Sequence, residues 1–291
     1  MARRPTRGKT QIAIIGAGTL AATLARALHA AGYRISEIGA RENPQSLRRA
    51  RALAKEVAAE ARIIERLELS APIVWICVPD DAIAAVADQI AKGHAWQEKL
   101  AVHSSGALTS DVLVSLRRKR AEVASAHPLM TFVSSSKPNF AGVPFAIEGT
   151  KKAIKAVTPI VQCLRARPFR IGRKEKPAYH AFGFFSSPAM VTLIAAAQQV
   201  GRLAGLDTKR ARELMEPIVR QTIDNCFRSS PQQAFSGPVR RGDVETIRKH
   251  LRVLHAQPDL LELYRAVVRI ALQNLPNLRK KELERVLTEQ P

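Results

Sequence analysis

The chain has 291 residues, of which 46% are hydrophobic and 24% are charged. This balance is typical of a globular protein and excludes a chain that is mostly disordered. The length suffices for two hydrophobic cores, since a single core rarely grows beyond about 250 to 300 residues. The formal net charge of +21 attracts polyanions, whether nucleic acid, an anionic membrane or phosphorylated small molecules.

Several partners are disfavoured by composition. The basic residues are spread over many segments and aromatic residues make up only 5%, so we expect no nucleic-acid partner. No apolar run approaches the ~20 residues of a membrane span, and the basic tail 1–9 lacks the features of a secretion signal. The three cysteines fit neither a disulfide framework nor a zinc site. We therefore predict a cytoplasmic protein without a metal.

The first half alternates short β-branched runs with helical patterns, as a parallel sheet with crossover helices does. A weak third strand is expected before Ser70, and 134–139 is predicted as a polar loop. Helices are predicted at 44–60, 82–90 and 151–165. The other predicted strands are 11–15, 34–38, 72–78, 100–103, 122–126, 143–147 and 169–171.

Beyond about residue 176 the strand signals stop. Helices are predicted at 179–204, 208–227, 243–255, 258–274 and 278–288. We therefore predict an α/β protein: a Rossmann doubly wound, mainly parallel sheet over 1–173, followed by an all-α domain over 174–291.

The first strand runs directly into Gly16-Ala17-Gly18-Thr19-Leu20, which opens a helix. The first glycine permits a tight turn, the second lets backbone amides approach a pyrophosphate, and the small Ala21 allows close helix packing. The alternative is a purely structural turn. Position at the head of a βαβ unit favours a dinucleotide site.

The second strand indicates which dinucleotide binds. Glu37 comes one to two residues too early to accept the ribose hydroxyls of NAD. Arg41, with Arg48 or Arg49 behind it, is placed for the 2'-phosphate of NADP. We therefore predict NADP rather than NAD, with a solvated loop arginine as the alternative.

Polar residues follow three later strands, whose carboxyl ends should share one edge of the sheet. They are Val78-Pro79-Asp80-Asp81, His103-Ser104-Ser105-Gly106 and His127-Pro128. Two strand-terminal histidines flanked by serines are a plausible proton-donor and hydroxyl-anchor set. Alternatively, an aspartate, Ser105 or Thr109 caps the following helix and His127 is a packed turn residue.

The helical half adds Tyr179-His180 and the turn Gly237-Pro238-Val239-Arg240-Arg241-Gly242-Asp243. Such a turn suits a substrate carboxylate or phosphate, although Asp243 can equally cap a helix together with Thr246. A hydrolase using Ser105 with His127 is disfavoured, because no Gly-x-Ser-x-Gly elbow is present and the glycine loop would have no purpose.

Taken in order, these motifs make the chain similar to the Rossmann-like oxidoreductases that carry the C-terminal domain of unknown function 2520. Those are relatives of phosphogluconate dehydrogenase, pyrroline-carboxylate reductase and ketopantoate reductase. The resemblance extends from about Gln11 to Tyr264 and implies a helical domain that often forms homodimers. It implies little about substrate. Pro188 departs from the pattern, since an asparagine is usual there.

Residues and resemblance together give one hypothesis: reduction by NADPH of a carbonyl or imine in a small anionic substrate, such as a branched 2-keto acid, in the cleft between the domains. His127 would donate the proton, His103, Ser104 and Ser105 would orient the reacting oxygen or bind the substrate, and Arg241 would bind the anion. His180 and Asp243 would complete the site. The rival hypothesis is a non-catalytic NADP sensor or scaffold, favoured by the missing asparagine and by the lack of a lysine aligned with His127.

Overall fold

The computed structural model describes residues 10–133 and 138–289. The predicted basic tail at 1–9 and most of the predicted loop at 134–139 lie outside these residues. The chain divides into two compact units between Pro188 and Ala189. The sequence places this boundary at residue 173, where strand signals end, whereas the structure keeps one further helix with the sheet.

The first unit holds one eight-stranded sheet, in the order β3-β2-β1-β4-β5-β6-β7-β8. β7 runs antiparallel to β6 and β8 runs parallel to β7, so these two strands are reversed relative to the other six. The order reverses between β1 and β4, where ligands bind in doubly wound folds. The strands are β1 (Gln11–Ile15), β2 (Arg34–Ala40), β3 (Glu60–Ile63), β4 (Ile73–Ile76), β5 (Leu100–His103), β6 (Glu122–Pro128), β7 (Pro144–Gly149) and β8 (Arg167–Arg170).

Helices cover both faces of this sheet. Along β1, Ile12 and Ile14 enter one hydrophobic cluster while Ala13 and Ile15 enter another, because side chains alternate along a strand. The predicted Rossmann-like fold class is thereby confirmed. The helices of this unit are α1 (Thr19–Ala30), α2 (Pro44–Glu56), α3 (Asp80–Ile90), α4 (Val114–Arg118), α5 (Lys151–Cys163) and α6 (Lys176–Ser186).

The rest of the chain is helical, as predicted. Its hydrophobic core is built from α11 to α13, with Ile247, Leu251, Leu283 and Val286 nearly fully buried. The helices are α7 (Pro188–Leu203), α8 (Thr208–Arg228), α9 (Pro231–Ala234), α10 (Pro238–Arg241), α11 (Val244–Leu254), α12 (Pro258–Asn274) and α13 (Lys280–Thr288).

The predicted helix 179–204 is wrong in two respects. It begins three residues earlier, at Lys176, and it breaks at Ser187, whose φ of −141° and ψ of −73° are not helical. Pro188 has no N–H to continue the ladder and instead starts α7. The weak third strand is confirmed as β3.

The prediction that no segment is apolar enough to span a membrane is also wrong. Over Lys176–Leu203 an 18-residue window reaches a mean hydropathy of 1.4. The break at Ser187 divides this segment, however. The unbroken part, Pro188–Leu203, has 16 residues and is about 24 Å long, which is less than the ~30 Å hydrocarbon core of a bilayer.

Candidate active site

The turn after β1 requires glycine at position 16. Gly16 has a φ of +127°, and a Cβ there would lie 2.2 Å from the carbonyl oxygen of Cys77. The Gly16 amide donates to the carbonyl oxygen of Gly39 at 2.7 Å. The turn is therefore held between the ends of β2 and β4, and it directs α1 to the point where the strand order reverses.

The amino end of α1 is open to an anion. Gly18 is its N-cap, with no side-chain capping bond and no acidic residue in the first turn. The first N–H groups of a helix lack intrahelical acceptors and attract phosphate. Ala17, Gly18 and Thr19 line a cavity of about 930 Å³ between α1 and α2, and Arg49 lies in its wall. Leu20 is half-buried against the core.

Two charged residues near the end of β2, Glu37 and Arg41, lie in different surroundings. Glu37 is 4% exposed and accepts hydrogen bonds from the amides of Glu68 and Leu69, both at 2.9 Å. Its carboxylate is thus committed to the backbone, as expected of a residue placed too early for the ribose. Arg41 lies exposed just beyond the strand, and its carbonyl oxygen accepts from the amide of Asn43, the N-cap of α2.

The loop after β5 is fastened by buried polar groups. The amide of Ser105 donates to His103 Nδ1 at 3.2 Å, so the Nε2–H of the neutral ring donates to the carbonyl oxygen of Thr109. Both nitrogens of the fully buried His103 are therefore used by the backbone. Ser104 Oγ accepts from Trp75 Nε1 at 2.8 Å.

Ser105 links this loop to the start of α3. Its hydroxyl donates to Asp80 Oδ2 at 2.6 Å and accepts from the amides of Ala107 and Leu108. Asp80 is the first residue of α3, and Pro79, not an aspartate, is the N-cap. Val78 packs partly buried against the sheet. Thr109, the other predicted cap, accepts from the amide of Asp111.

His127 lies near the end of β6, among side chains from α6. Its Nδ1 is 2.9 Å from the hydroxyl of Tyr179, and its ring centroid is 6.5 Å from that of His180. A Cβ on Gly106 would lie 2.9 Å from His127 Nε2 and 2.8 Å from His180 Cδ2. The missing side chain of Gly106 therefore makes room for both rings.

Lys176, which the sequence does not single out, is the buried cation of this region. It is 0% exposed, and its Nζ donates to the carbonyl oxygen of Ser105 at 3.0 Å and to Ser125 Oγ. Burial lowers the pKa of this ammonium to about 8, against the opposing attraction of Glu148 and Asp80. Ser125 precedes His127 by two residues, so both lie on one face of β6.

This environment keeps both strand-terminal histidines neutral. Burial, assisted by the positive charge of Lys176, lowers the pKa of His103 to about 3 and that of His127 to about 4. Each is far below the ordinary value near 6.5. At neutral pH these rings are neutral, and each carries one proton that it can donate in a hydrogen bond.

Acid should therefore destabilise the first unit. Between pH 6.5 and the lowered folded pKa, the unfolded chain binds the proton of His103 and the folded chain does not, so stability falls as pH falls. From pH 7 to pH 5 we expect a loss of about 2 kcal/mol from His103. Urea unfolding of wild type and His103→Gln at both pH values measures it. An equal acid-induced loss in the two proteins would contradict this prediction.

Two family descriptions cover most of the chain. Residues 11–105 match the family described as NADP oxidoreductase coenzyme F420-dependent, and residues 143–270 match the domain of unknown function DUF2520. The chain therefore combines an NADP-oxidoreductase domain with a DUF2520 domain, each covering less than half of its length. The predicted resemblance is thereby confirmed. No protein of curated function matches this oxidoreductase.

Several solved structures share the architecture of this chain over nearly its whole length. A protein of Bacteroides fragilis assigned as an NADP oxidoreductase is 26% identical, with a TM-score of 0.75 over 90% of this chain and 97% of that chain. A protein of Thermotoga maritima is 25% identical, with a TM-score of 0.70 over 95% and 98%. An imine reductase from Myxococcus stipitatus, in complex with NADP+, is 15% identical, with a TM-score of 0.66 over 90% and 94%, and shows the shared fold.

In the helical unit, the turn at 237–243, which was predicted to bind the substrate, caps a helix. Asp243 is the N-cap of α11 and accepts from the amide and the hydroxyl of Thr246, at 3.1 and 2.7 Å. These two bonds hold the pKa of Asp243 below its usual value. Arg241 is exposed. The capping role weighed from the sequence is present, and a role of Arg241 in substrate binding stays a prediction.

Two site residues are not predicted by the sequence. Lys176 gives no signal, because nothing in a sequence distinguishes a buried lysine from a solvated one. Tyr179 stands out only as part of a motif with His180. The alternation of β6 could have drawn attention to Ser125, but its partner on α6 depends on tertiary packing.

Proposed function

We propose that this protein uses NADPH to reduce the carbonyl or imine of a small anionic substrate, with a branched 2-keto acid as the preferred class. The observation that carries the proposal is the neutral His127, whose Nε2 lies beside Gly106 at the same sheet edge as the glycine turn. Nicotinamide supplies the hydride when bound, and His127 relays the proton: its Nε2–H passes to the reacting oxygen or nitrogen, and the ring regains a proton from water.

The charge near His127 supports an anionic substrate. Lys176 is a buried cation that donates hydrogen bonds to Ser105 and Ser125, and a buried charge acts over a longer range than a solvated one. Its field favours a carboxylate in the substrate and negative charge that develops on the reacting oxygen. We propose that His103 and Ser105 serve by holding the loop that bears Gly106, and that Ser104, His180, Arg241 and Asp243 contribute to substrate binding.

Steady-state oxidation of NADPH with a panel of linear and branched 2-keto acids tests this proposal. Turnover with one of them, with kcat/KM falling above pH 8 as Lys176 loses its proton, is the expected result. Tight NADPH binding without turnover would instead favour the non-catalytic sensor. One reason for the sensor hypothesis, the lack of a lysine aligned with His127, is weakened because Lys176 lies close to His127. The other reason remains, since Pro188 replaces the usual asparagine.

Arg41 is proposed to bind the 2'-phosphate of NADP. Arg41→Ala should weaken NADPH binding about 10- to 100-fold, the contribution of a charge-assisted hydrogen bond, and leave NADH binding unchanged. Fluorescence titration with both dinucleotides measures this. Arg34→Ala is the matched control, because Arg34 is an exposed arginine at the opposite end of the same strand. An equal effect on NADH would overturn the assignment.

The exposed apolar side chains of the helical unit support a homodimer. Within the described residues, Ala211 is the only residue of α7 and α8 that is buried. Val191 is 64% exposed and Ile218 is 65% exposed. Long helices without a buried face are unstable in water, so we propose that a second copy covers them.

Sedimentation analysis tests the dimer. Ile218→Glu should produce monomers, because burying an unpaired carboxylate at an interface is costly. Val253→Glu is the control: Val253 is 59% exposed but lies on α11, outside the proposed interface. A wild-type monomer, or dissociation by both substitutions alike, would contradict the proposed interface.

We further propose that the protein acts in the cytoplasm without a membrane or nucleic-acid partner. Among the residues that the structure describes, Cys77, Cys163 and Cys226 form no disulfide bond. Retention on DNA at physiological salt would contradict the second part of this proposal, because binding driven by charge alone weakens steeply as salt rises.

A further inference from the structure

The bond between His127 and Tyr179 joins the two elements of the site. His127 belongs to β6 and Tyr179 to the second turn of α6, and 2.9 Å separates Nδ1 from the tyrosine hydroxyl. The ring of Tyr179 also contacts Phe169 of β8, with centroids 6.0 Å apart. Tyr179 is 9% exposed, so its hydroxyl lies where an unpaired polar group is costly.

The direction of this hydrogen bond follows from counting donors and acceptors. If Nδ1–H donated to the hydroxyl, the tyrosine would need a second acceptor for its own proton, and none is found among residues 10–133 and 138–289. If the tyrosine donates to Nδ1, both groups are satisfied. The single proton of the neutral imidazole then resides on Nε2.

The ionisation of both groups agrees with that arrangement. Burial raises the pKa of Tyr179 to about 12, so the phenol keeps its proton over the physiological range. Burial and the charges of Lys176 and His180 lower the pKa of His127 to about 4, so the ring remains neutral. A neutral donor therefore faces a neutral acceptor.

The other side of the ring faces Gly106. Because a Cβ on Gly106 would approach Nε2 to 2.9 Å, this nitrogen points at the one residue of the loop that has no side chain. We propose that Tyr179 is a positioning residue that fixes the tautomer of His127, so that the Nε2–H points to the substrate oxygen or nitrogen. This rests on the proposed function, in which His127 donates the proton.

Nitrogen NMR of protein labelled with 15N-histidine reads the tautomer directly, since a protonated and an unprotonated ring nitrogen have distinct shifts. The His127 signals are identified by their loss in His127→Gln. In wild type at pH 7 we expect a proton on Nε2 and none on Nδ1. A wild-type ring protonated on Nδ1 would overturn the inference without the need for any variant.

Tyr179→Phe removes only the hydroxyl. We expect His127 to become a mixture of the two tautomers and kcat to fall about 10- to 100-fold, with the KM for NADPH unchanged. Phe169→Leu, which alters the packing around Tyr179 but keeps its hydroxyl, should leave the tautomer as in wild type. An unchanged tautomer in Tyr179→Phe would refute the assigned role.

The two proposals can fail separately. If the tautomer behaves as expected but no carbonyl or imine is reduced, the proposed function fails and the role of Tyr179 in setting the tautomer stands. If turnover occurs while His127 carries its proton on Nδ1, the proposed function stands and the role of Tyr179 is refuted.

Discussion

His127→Asn is expected to lower kcat about 10²- to 10⁴-fold, the contribution typical of a positioned proton donor. Asparagine is polar and fits a space made for a ring, but it cannot deliver a proton to an oxygen or nitrogen that accepts a hydride. The dissociation constant for NADPH should stay within about twofold of wild type, because the glycine turn lies on another strand. Single-turnover oxidation of bound NADPH separates the two effects.

The chain offers a close control for this substitution. His250 pairs with Tyr264 in the helical unit with the same Nδ1-to-hydroxyl distance of 2.9 Å and a ring separation of 5.7 Å, against 5.6 Å for His127 and Tyr179. His250→Asn should leave kcat unchanged. An equal loss of activity in both variants would point to lost stability instead of a lost proton donor.

Gly16→Ala should disrupt both the fold and the cofactor site. The forced φ of +127° costs about 1 to 2 kcal/mol in a residue with a side chain, and the contact of 2.2 Å with the Cys77 carbonyl oxygen must be relieved by backbone movement. We expect a combined loss of at least about 3 kcal/mol, a melting temperature lower by roughly 5 to 10 °C, and loss of NADPH binding. Thermal unfolding with and without NADPH measures all three.

Gly18→Ala separates these effects. Gly18 has a φ of −79° and a Cβ there meets nothing within 4 Å, so the variant should fold like wild type. It should nevertheless bind NADPH at least about tenfold more weakly, because the added methyl group keeps the backbone away from the pyrophosphate. Unchanged binding in Gly18→Ala would mean that the turn does not hold the phosphates.

The sheet could be predicted from the sequence because its central strands are buried on both faces and read as short apolar runs. The bounds of β1 and β5 agree with the predicted ones, and Pro258–Asn274 agrees among the helices. The predicted strands at β2 and β6 end too early, since Gly39 and His127 interrupt the apolar pattern while the ladder continues. Two helices instead end earlier than predicted, α2 at Glu56 and α6 at Ser186.

Only those site residues whose type the backbone requires could be predicted from the sequence. Gly16 and Gly18 are such residues, because few others tolerate the turn or the approach of a phosphate. The roles of His103 and Lys176 depend on which atoms lie opposite them after folding. His103 proves to be bonded to the backbone through both nitrogens, and Lys176 proves to be buried beside it.

Transfer of deuterium from NADPH labelled at C4, on each face separately, to the panel of 2-keto acids tests the central claim most directly. We predict a product that gains one deuterium at the former carbonyl carbon from one face only, with the transfer lost in His127→Asn and retained in His250→Asn. Tight binding of NADPH with no transfer from either face to any substrate would contradict it.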